Sequence, residues 1–341
     1  MVAIFCVEIG SLTFGIPCSI NQKTGLLRRV FEAFVQCRNE VYLRSTPASV
    51  GLPSSDEMKS MEIARPSRTA LGVAVRRACH QIHDSSPLVL DDSIAVPILG
   101  DTYRKSIEDS AASINERTSL AMRAWLVARN RYAEDQLAEA VARGVQQYVL
   151  LGAGLDTFAH RNPYPDLKIF EVDHPATQMW KRDLLVSSRL PAPKNLYYVP
   201  VDFERQSIAG QLKESCLDFA APTVFAWLGV VLYLTPSAFR STIDVIAAFP
   251  EGSGVIFDYA LPRHALAAHE LEARDNLSAR VASIGEPFQL FFTPVEIADE
   301  LSKFSVLEDL DATALNNRYF VNRTDQLSLL GRSANIISAW R

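Results

Sequence analysis

The stretch that decides the fold runs from residue 147 to residue 161 and reads Gln-Tyr-Val-Leu-Leu-Gly-Ala-Gly-Leu-Asp-Thr-Phe-Ala-His-Arg. Its apolar part, residues 148–151, is short and ends in a turn signal, which predicts a strand buried on both faces of a parallel sheet. Gly152 and Gly154 let the backbone turn sharply and approach a ligand without an intervening Cβ. Asp156 follows, either as a helix cap or as a ligand contact. The pattern predicts a small-molecule site at the carboxyl end of a strand, where open α/β sheets bind ligands.

The composition is that of a globular protein, with 341 residues, 48% hydrophobic and 21% charged, and a formal net charge of −5. The chain has no run of basic residues, so the sequence argues against nucleic acid as a partner, because phosphate binding requires a concentrated positive surface. No stretch approaches the roughly 20 apolar residues that cross a bilayer, so no membrane association is expected. The five cysteines are scattered without a C-x-x-C pair. They indicate reduced thiols in a cytoplasmic protein and no metal site.

The first 57 residues are predicted to be an extension and linker that pack poorly. Residues 1–20 are apolar but carry Glu8 and lack a basic leading segment, which is atypical of a signal peptide. Residues 45–60 are rich in Ser, Pro and small residues, as linkers are. We expect one domain over residues 58–341, with Met58 or Met61 as the native start.

Helical and strand-like patterns alternate from residue 66 onwards. Helices over 68–82 and 114–142 would form a cap at residues 66–142, ahead of a sheet core at 147–341. Strands are predicted at 148–151, 168–172, 196–201, 223–229, 255–259, 304–307 and 334–339, and helices at 176–188, 207–214, 236–249 and 294–303. This alternation predicts an α/β fold with a doubly wound, seven-stranded sheet that is mostly parallel and ends in an antiparallel hairpin. Only a loop is predicted between the last two strands. Residues 262–281 are predicted to be a helical lid insertion over a substrate pocket.

Acidic residues end the two strands that follow the glycine turn. Asp173 lies 21 residues after Gly152 and is well placed to accept hydrogen bonds from both hydroxyls of a ribose. Asp202 ends the next strand and could accept from an adenine amino group. Alternatively, Asp173 caps the next helix and Asp202 is a turn residue. Their joint placement with the glycine turn favours an adenosine-shaped site.

Residues 156 and 157 bear on which adenosine compound binds. A dinucleotide turn carries G-x-G-x-x-G, whose third glycine allows close helix packing while the helix faces pyrophosphate. Here Thr157 follows Asp156 and no third glycine is present. A carboxylate would repel pyrophosphate but tolerates a cation, which favours S-adenosylmethionine, with its ammonium and sulfonium groups. The alternatives are a nicotinamide-dependent oxidoreductase and a non-catalytic adenosine-binding protein with the same fold.

Several segments together match a known family. They are Ser67–Gly72, Arg129–Asp135, Val149–Thr157 with Arg161, Phe170–Pro175, Val199–Asp202, Leu232–Leu234 and Asn317–Phe320. On these segments the chain, from about residue 67 to 341, resembles the leucine carboxyl methyltransferase family, in particular its bacterial branch. The resemblance implies a class I methyltransferase fold, S-adenosyl-L-methionine as cofactor, and methyl transfer as the activity.

The resemblance also implies roles for three arginines. In this family an arginine ahead of the first strand holds the methionine carboxylate of the cofactor, and Arg131 matches that place best, with Arg129 as the second choice. A guanidinium suits a carboxylate because it can donate two parallel hydrogen bonds. Arg68 matches a basic position near the cofactor pocket.

The motif of the fourth strand departs from the family pattern. Leu228 stands where many relatives carry a glutamate, so the role of that glutamate does not transfer. Trp227 and Tyr233 offer aromatic surface for adenine or the sulfonium, or are core residues. His160 and His174 are candidate bases or structural residues, so no catalytic residue is identified.

The resemblance leaves the methyl acceptor open. We expect O-methylation of a carboxylate or hydroxyl on a small molecule or peptide, by in-line displacement, for which the enzyme mainly contributes positioning and desolvation. A carboxylate is ionised at neutral pH and needs no base, whereas a hydroxyl does.

Overall fold

The computed structural model describes residues 67–110, 116–202, 206–283 and 286–341. The predicted extension at residues 1–57 and its boundary with the domain lie outside these residues. Within them, no helix combines the length and the apolar character that a membrane crossing requires.

The described residues form seven strands and ten α-helices, numbered here in chain order. The strands are β1 (Gln147–Leu151), β2 (Lys168–Asp173), β3 (Leu196–Pro200), β4 (Val224–Trp227), β5 (Gly254–Ala260), β6 (Val306–Leu310) and β7 (Ala334–Trp340). The helices are α1 (Arg68–His83), α2 (Gly100–Asp109), α3 (Arg117–Ala142), α4 (Phe158–Arg161), α5 (Pro175–Ser187), α6 (Ile208–Glu214), α7 (Pro236–Ala247), α8 (Ala268–Ser283), α9 (Pro294–Glu300) and α10 (Ala312–Tyr319).

The seven strands form one sheet in the order β3-β2-β1-β4-β5-β7-β6. β1 to β5 run parallel to one another, and β7 is antiparallel to both β5 and β6. The predicted seven-stranded, mostly parallel sheet with an antiparallel pair at its end is therefore confirmed. The strand order reverses between β1 and β4, and such a switch point opens a crevice at the carboxyl ends of the two strands.

The connection between the last two strands differs from the prediction of a plain loop. It contains α10, because Asp311 caps that helix by accepting a hydrogen bond from the Ala314 N–H at 2.8 Å. Asn316 then holds the returning chain, since its side chain donates to the Leu329 carbonyl at 3.1 Å and accepts from the Leu329 N–H at 2.9 Å.

Alternate residues of β1 face two different layers of the core. Tyr148 and Leu150 belong to the layer formed with α3, whereas Val149 and Leu151 belong to the layer formed with α7. This period of two is that of a strand buried on both faces, as the apolar run predicted.

The helices ahead of the sheet occupy two positions. α3 packs along one face of the sheet, while α1 reaches the crevice, where Ala70 lies next to the glycine turn. The predicted lid insertion contains a short 3₁₀ turn, Arg263–Ala265, followed by α8.

Candidate active site

The glycine turn after β1 has the backbone conformation that its sequence predicts. Gly152 and Gly154 have φ values of +69° and +51°, in the left-handed region that favours glycine. The Gly152 N–H donates to the Val172 carbonyl at 2.8 Å, which ties the turn to β2. A Cβ on Gly152 would lie 2.4 Å from Cγ2 of Val230, in the loop after β4. The turn therefore requires glycine both for its conformation and for the close approach of Val230.

Asp173 ends β2 directly beside this turn. Its carboxylate accepts one hydrogen bond from the Gly154 N–H and one from the His174 N–H, each at 2.6 Å. Burial raises the pKa of Asp173, although these two N–H groups oppose the shift. Each carboxylate oxygen keeps a lone pair for a further donor. Asp173 thus stabilises the turn and lines the crevice.

Asp156 lies just before α4 and lines the crevice. One of its oxygens accepts from the Phe158 N–H at 2.8 Å, and the other lies 3.3 Å from the amide nitrogen of Asn130 and 3.5 Å from Nη1 of Arg77. Burial would raise the pKa of Asp156, but the positive charges of Arg77, Lys181 and Arg161 prevail and lower it. The carboxylate therefore stays ionised, with part of its charge balanced by Arg77.

A buried ionic network supports the turn from behind. Asp92 is fully buried; it accepts a hydrogen bond from the Thr157 hydroxyl at 2.7 Å and lies 3.4 Å from Nε of Arg161. Arg77 donates to the Leu155 carbonyl, and Arg161 donates to Glu134 at 2.8 Å. Sequence reasoning missed Asp92, which lies in an irregular segment without a distinguishing pattern. The network fixes the residues that follow the glycines.

A second turn, after β4, lies across the switch point. Gly229 has φ +73°, and a Cβ there would lie 2.8 Å from both Nη atoms of Arg129. The Gly229 N–H donates to Asp258 at 2.5 Å, and Nη1 of Arg129 donates to the other oxygen of Asp258 at 3.0 Å. Arg129 is buried and lines the crevice. The structure thus places a guanidinium directly over the end of β4.

The structure does not bring Arg131 to the crevice. Its side chain is 46% exposed and pairs with Asp135 at 2.7 Å. Two residues along an α-helix correspond to a rotation of about 200°, so Arg129 and Arg131 lie on nearly opposite sides of α3. Arg129, the second choice from sequence, is the one of the two that lines the crevice.

Of the two other predicted cofactor residues, Asp202 is not among the described residues that line the crevice. Asp202 lies two residues beyond β3, half-buried, and its N–H donates to the side chain of Gln206 at 2.9 Å. Arg68 is the first residue of α1. Its side chain lies outside what the structure describes, so its predicted role stays a prediction.

The crevice is a cavity of about 620 Å³ at the carboxyl ends of β1, β2, β4 and β5. It is closed on one side by α1 and α3 and on the other by α8 and the segment that follows it. The lining includes Gly152, Gly154, Asp156, Asp173, Leu228, Tyr233, Asp258 and Arg274. Cavities of this size and place are typical small-molecule sites.

The aromatic and histidine candidates separate into lining and core residues. Trp227 is buried and stacks on Phe239 with ring centroids 5.7 Å apart, so it is a core residue. Tyr233 lines the cavity. His174 also lines it, but its Nδ1 accepts the Ala176 N–H at 3.2 Å as the cap of α5. Burial, and next the charge of Lys181, lower the pKa of His160, which is not among the lining residues.

The strand order and the glycine turn define the class I methyltransferase fold. A crystal structure from Thermobifida fusca YX, described as "a putative methyltransferase", matches with a TM-score of 0.50 and 16% identity. The match covers 83% of this chain and 97% of that chain, and it concerns the fold alone.

Sequence comparisons identify the family. The family model for leucine carboxyl methyltransferase matches residues 70–247. A Bacillus subtilis (strain 168) protein named "Putative S-adenosyl-L-methionine-dependent methyltransferase YktD" is 32% identical over 287 residues, which are 77% of this chain and 94% of that protein. A Frankia alni protein with the same kind of name is 34% identical over 185 residues, 53% of this chain and 63% of that protein.

The chain belongs to the leucine carboxyl methyltransferase family. It is an S-adenosyl-L-methionine-dependent methyltransferase. This assignment excludes the alternatives of a nicotinamide-dependent oxidoreductase and of a non-catalytic adenosine-binding protein.

Proposed function

We propose that this enzyme methylates an oxygen of a small molecule or peptide, and that the oxygen belongs to a carboxylate rather than a hydroxyl. The observation that supports the proposal is that the three carboxylates near the ends of β1, β2 and β5 are already hydrogen-bonded within the protein. Asp156, Asp173 and Asp258 are each already held by N–H or guanidinium donors. Because these contacts engage the three carboxylates within the protein, we infer that none of them serves as the base that a hydroxyl acceptor would need.

The geometry supports a specific arrangement of the methyl donor. Asp173 accepts hydrogen bonds from the ribose hydroxyls, and the backbone of Gly152 and Gly154 lies beneath the ribose. Arg129, rather than Arg131, holds the methionine carboxylate. Asp156 faces the positive side of the donor. The positions of these five residues along the crevice support the assignments.

Two further residues, Asp202 and Arg68, are proposed to contact the cofactor. Asp202 accepts from the adenine amino group at the end of β3, next to the strand that carries Asp173. Arg68 contributes positive charge from the start of α1. Both assignments rest on sequence position.

A carboxylate acceptor needs little from the enzyme besides alignment. It is already ionised at neutral pH, and the sulfonium is a good leaving group, so positioning for in-line attack and exclusion of water are sufficient. A hydroxyl acceptor requires proton removal. His174 is the histidine that lines the described part of the cavity, and it lies beside Asp173 at the ribose end, away from the expected path of the methyl group.

The chemical stability of the product tests this assignment. The enzyme is incubated with S-adenosylmethionine carrying a radioactive methyl group and with separate pools of carboxylic acids and of alcohols and phenols. Methyl esters release labelled methanol under mild base, whereas methyl ethers do not. We expect base-labile product from the acid pool. Base-stable product formed only from the alcohols and phenols would contradict a carboxylate acceptor.

A further inference from the structure

Arg274, on the lid helix α8, is a buried cation at the end of the cavity away from the ribose acid. Its side chain is 7% exposed and lines the cavity. Nη2 donates to the Ser333 carbonyl at 2.8 Å, and the guanidinium carbon lies 5.1 Å from the ring centroid of Phe291. These two contacts fix the guanidinium in place before any ligand binds.

The ion pairs formed among the described residues do not include Arg274. Arg263, on the same insertion but 65% exposed, pairs with Asp275 at 2.8 Å. Burial lowers the pKa of Arg274, and the more distant charges of Glu270 and Asp275 offset this only in part. Burying a charge without an ionic partner is unfavourable, and an anionic ligand would remove that cost.

The position of Arg274 along the sheet separates it from the proposed donor site. Ser333, which accepts its hydrogen bond, precedes β7 and also accepts from the Leu261 N–H at 3.0 Å, just beyond β5. Asp173 lies at the end of β2, three strands away from β5 in the sheet. The donor therefore extends over β2, β1 and β4, and Arg274 lies over the strands that follow.

Part of the cavity wall is apolar. Met122 and Trp125 of α3 line the same cavity as Arg274, as does Leu277, which lies one turn along α8 from Arg274. A cation beside an apolar wall matches a ligand that has a carboxylate at one end and a hydrocarbon body.

We propose that Arg274 is a specificity residue that binds a carboxylate of the methyl acceptor, and that the acceptor is an amphipathic carboxylic acid whose hydrocarbon part packs on Met122, Trp125 and Leu277. This inference rests on the proposed function, because it assigns the acceptor end of the same cavity.

The probe for this inference is octanoate, compared with 1-octanol and octylamine. Binding to the full chain is measured by calorimetry in the presence of S-adenosylhomocysteine, which fills the donor site. We expect octanoate to bind more tightly than either comparator. Arg274→Gln is expected to weaken octanoate binding by about tenfold or more, the loss of one charge-assisted contact, while 1-octanol binding stays within about twofold.

Two variants serve as matched controls. Arg274→Lys keeps the charge and should retain much of the octanoate affinity. Arg263→Gln removes an exposed charge from the same insertion and should leave that affinity within about twofold. Equal octanoate affinity in the original chain and in Arg274→Gln would overturn the inference. So would equal affinity for octylamine and octanoate in the original chain, a comparison that holds even if Arg274→Gln fails to fold.

Binding of S-adenosylmethionine separates this inference from the proposed function. We expect Arg274→Gln to bind S-adenosylmethionine as the original chain does. If S-adenosylmethionine binds and acids are methylated while octanoate binding is independent of Arg274, this inference alone fails. If acids are not methylated, the proposed function fails with it.

Discussion

The two ends of the cavity differ in how far the protein completes them by itself. At the end formed by β1 and β2, the charged side chains have partners within the protein. Backbone N–H groups donate to both Asp156 and Asp173, and Arg77 lies near Asp156. At the end formed by β5, β7 and α8, Arg274 is buried with a carbonyl and an aromatic ring as its contacts. The proposed donor end is therefore prearranged by the protein's own contacts, whereas at the proposed acceptor end Arg274 forms no ion pair with the described residues.

Replacing Asp173 by Ala is the change with the largest expected effect on the donor end. It removes the proposed ribose acceptor and leaves the N–H groups of Gly154 and His174 without their acceptor, a loss of about 3–5 kcal/mol in donor binding, or more than about 100-fold in affinity. Calorimetry with S-adenosylmethionine measures it. Asp173→Asn keeps one acceptor oxygen and should show a smaller loss. Unchanged affinity in Asp173→Ala would show that the donor binds elsewhere.

The next largest expected effect is the loss of stability caused by a substitution at Gly152. Gly152→Ala places a Cβ 2.4 Å from Val230 at a φ of +69°, which should lower the free energy of unfolding by about 2–4 kcal/mol. Gly144→Ala is the matched control, because Gly144 has φ +100° with nothing within 4 Å of a Cβ, so only backbone strain of about 1 kcal/mol is expected.

Urea unfolding of both glycine variants, and of Gly152→Ala combined with Val230→Ala, separates strain from crowding. The double variant should recover the part of the loss that is due to crowding. Equal losses in the variants at Gly152 and Gly144 would show that the contact with Val230 is unimportant.

Arg129 and Arg131 provide an internal comparison on one helix. Arg129→Gln should weaken S-adenosylmethionine binding by about 10- to 100-fold, because it removes a charge-assisted contact to the methionine carboxylate. Arg131→Gln should stay within about twofold, because an exposed ion pair contributes little. The affinities of the two variants, measured side by side, check this. The reverse order would restore Arg131 as the carboxylate ligand.

A pH dependence of smaller size should come from Asp173. Because its pKa is raised, the carboxyl takes up a proton at a higher pH than an ordinary aspartate does, and the protonated form accepts fewer hydrogen bonds from the ribose. Affinity for S-adenosylmethionine should therefore be constant at high pH and fall by up to about tenfold per pH unit below the raised pKa. The pKa of Asp156 is lowered, so Asp156 stays ionised over that range.

Affinity measured from pH 8 downwards, with Asp173→Asn as the reference, tests this dependence. The reference should be flat over the range in which the original chain loses affinity. An original chain that keeps its affinity down to pH about 4, near the ordinary aspartate pKa, would show that Asp173 is not the titrating group.

The sequence predicted the sheet, and it predicted that the glycine turn lies beside Asp173, because both depend on local patterns. The apolar run of β1, the glycines and the acid that ends β2 are neighbours along the chain and meet across adjacent parallel strands, so spacing alone places them together. Asp258 was missed, although an aspartate near the end of the apolar strand Gly254–Ala260 was a readable signal.

The helix side chains that line the cavity were less predictable, because they depend on which side of a helix faces the cavity. α3 is buried over most of its circumference, so hydrophobic periodicity did not distinguish the side of Arg129 from that of Arg131. Arg274 is one of several charged residues on α8, and only its packing beside Ser333 and Phe291 sets it apart. Such tertiary contacts leave no local pattern.

The contact between Gly152 and Val230 has a consequence for how new specificities arise in this fold. Val230 belongs to the loop after β4, on the path from the donor end to the acceptor end, and its methyl group fills the space that any side chain at position 152 would need. Substitutions around α8 can change the acceptor without disturbing this contact. A substitution that enlarges residue 230, by contrast, would move the donor as well as the acceptor. Inherited variation in substrate choice should therefore accumulate in the lid, while position 230 stays restricted to side chains that leave the turn in place.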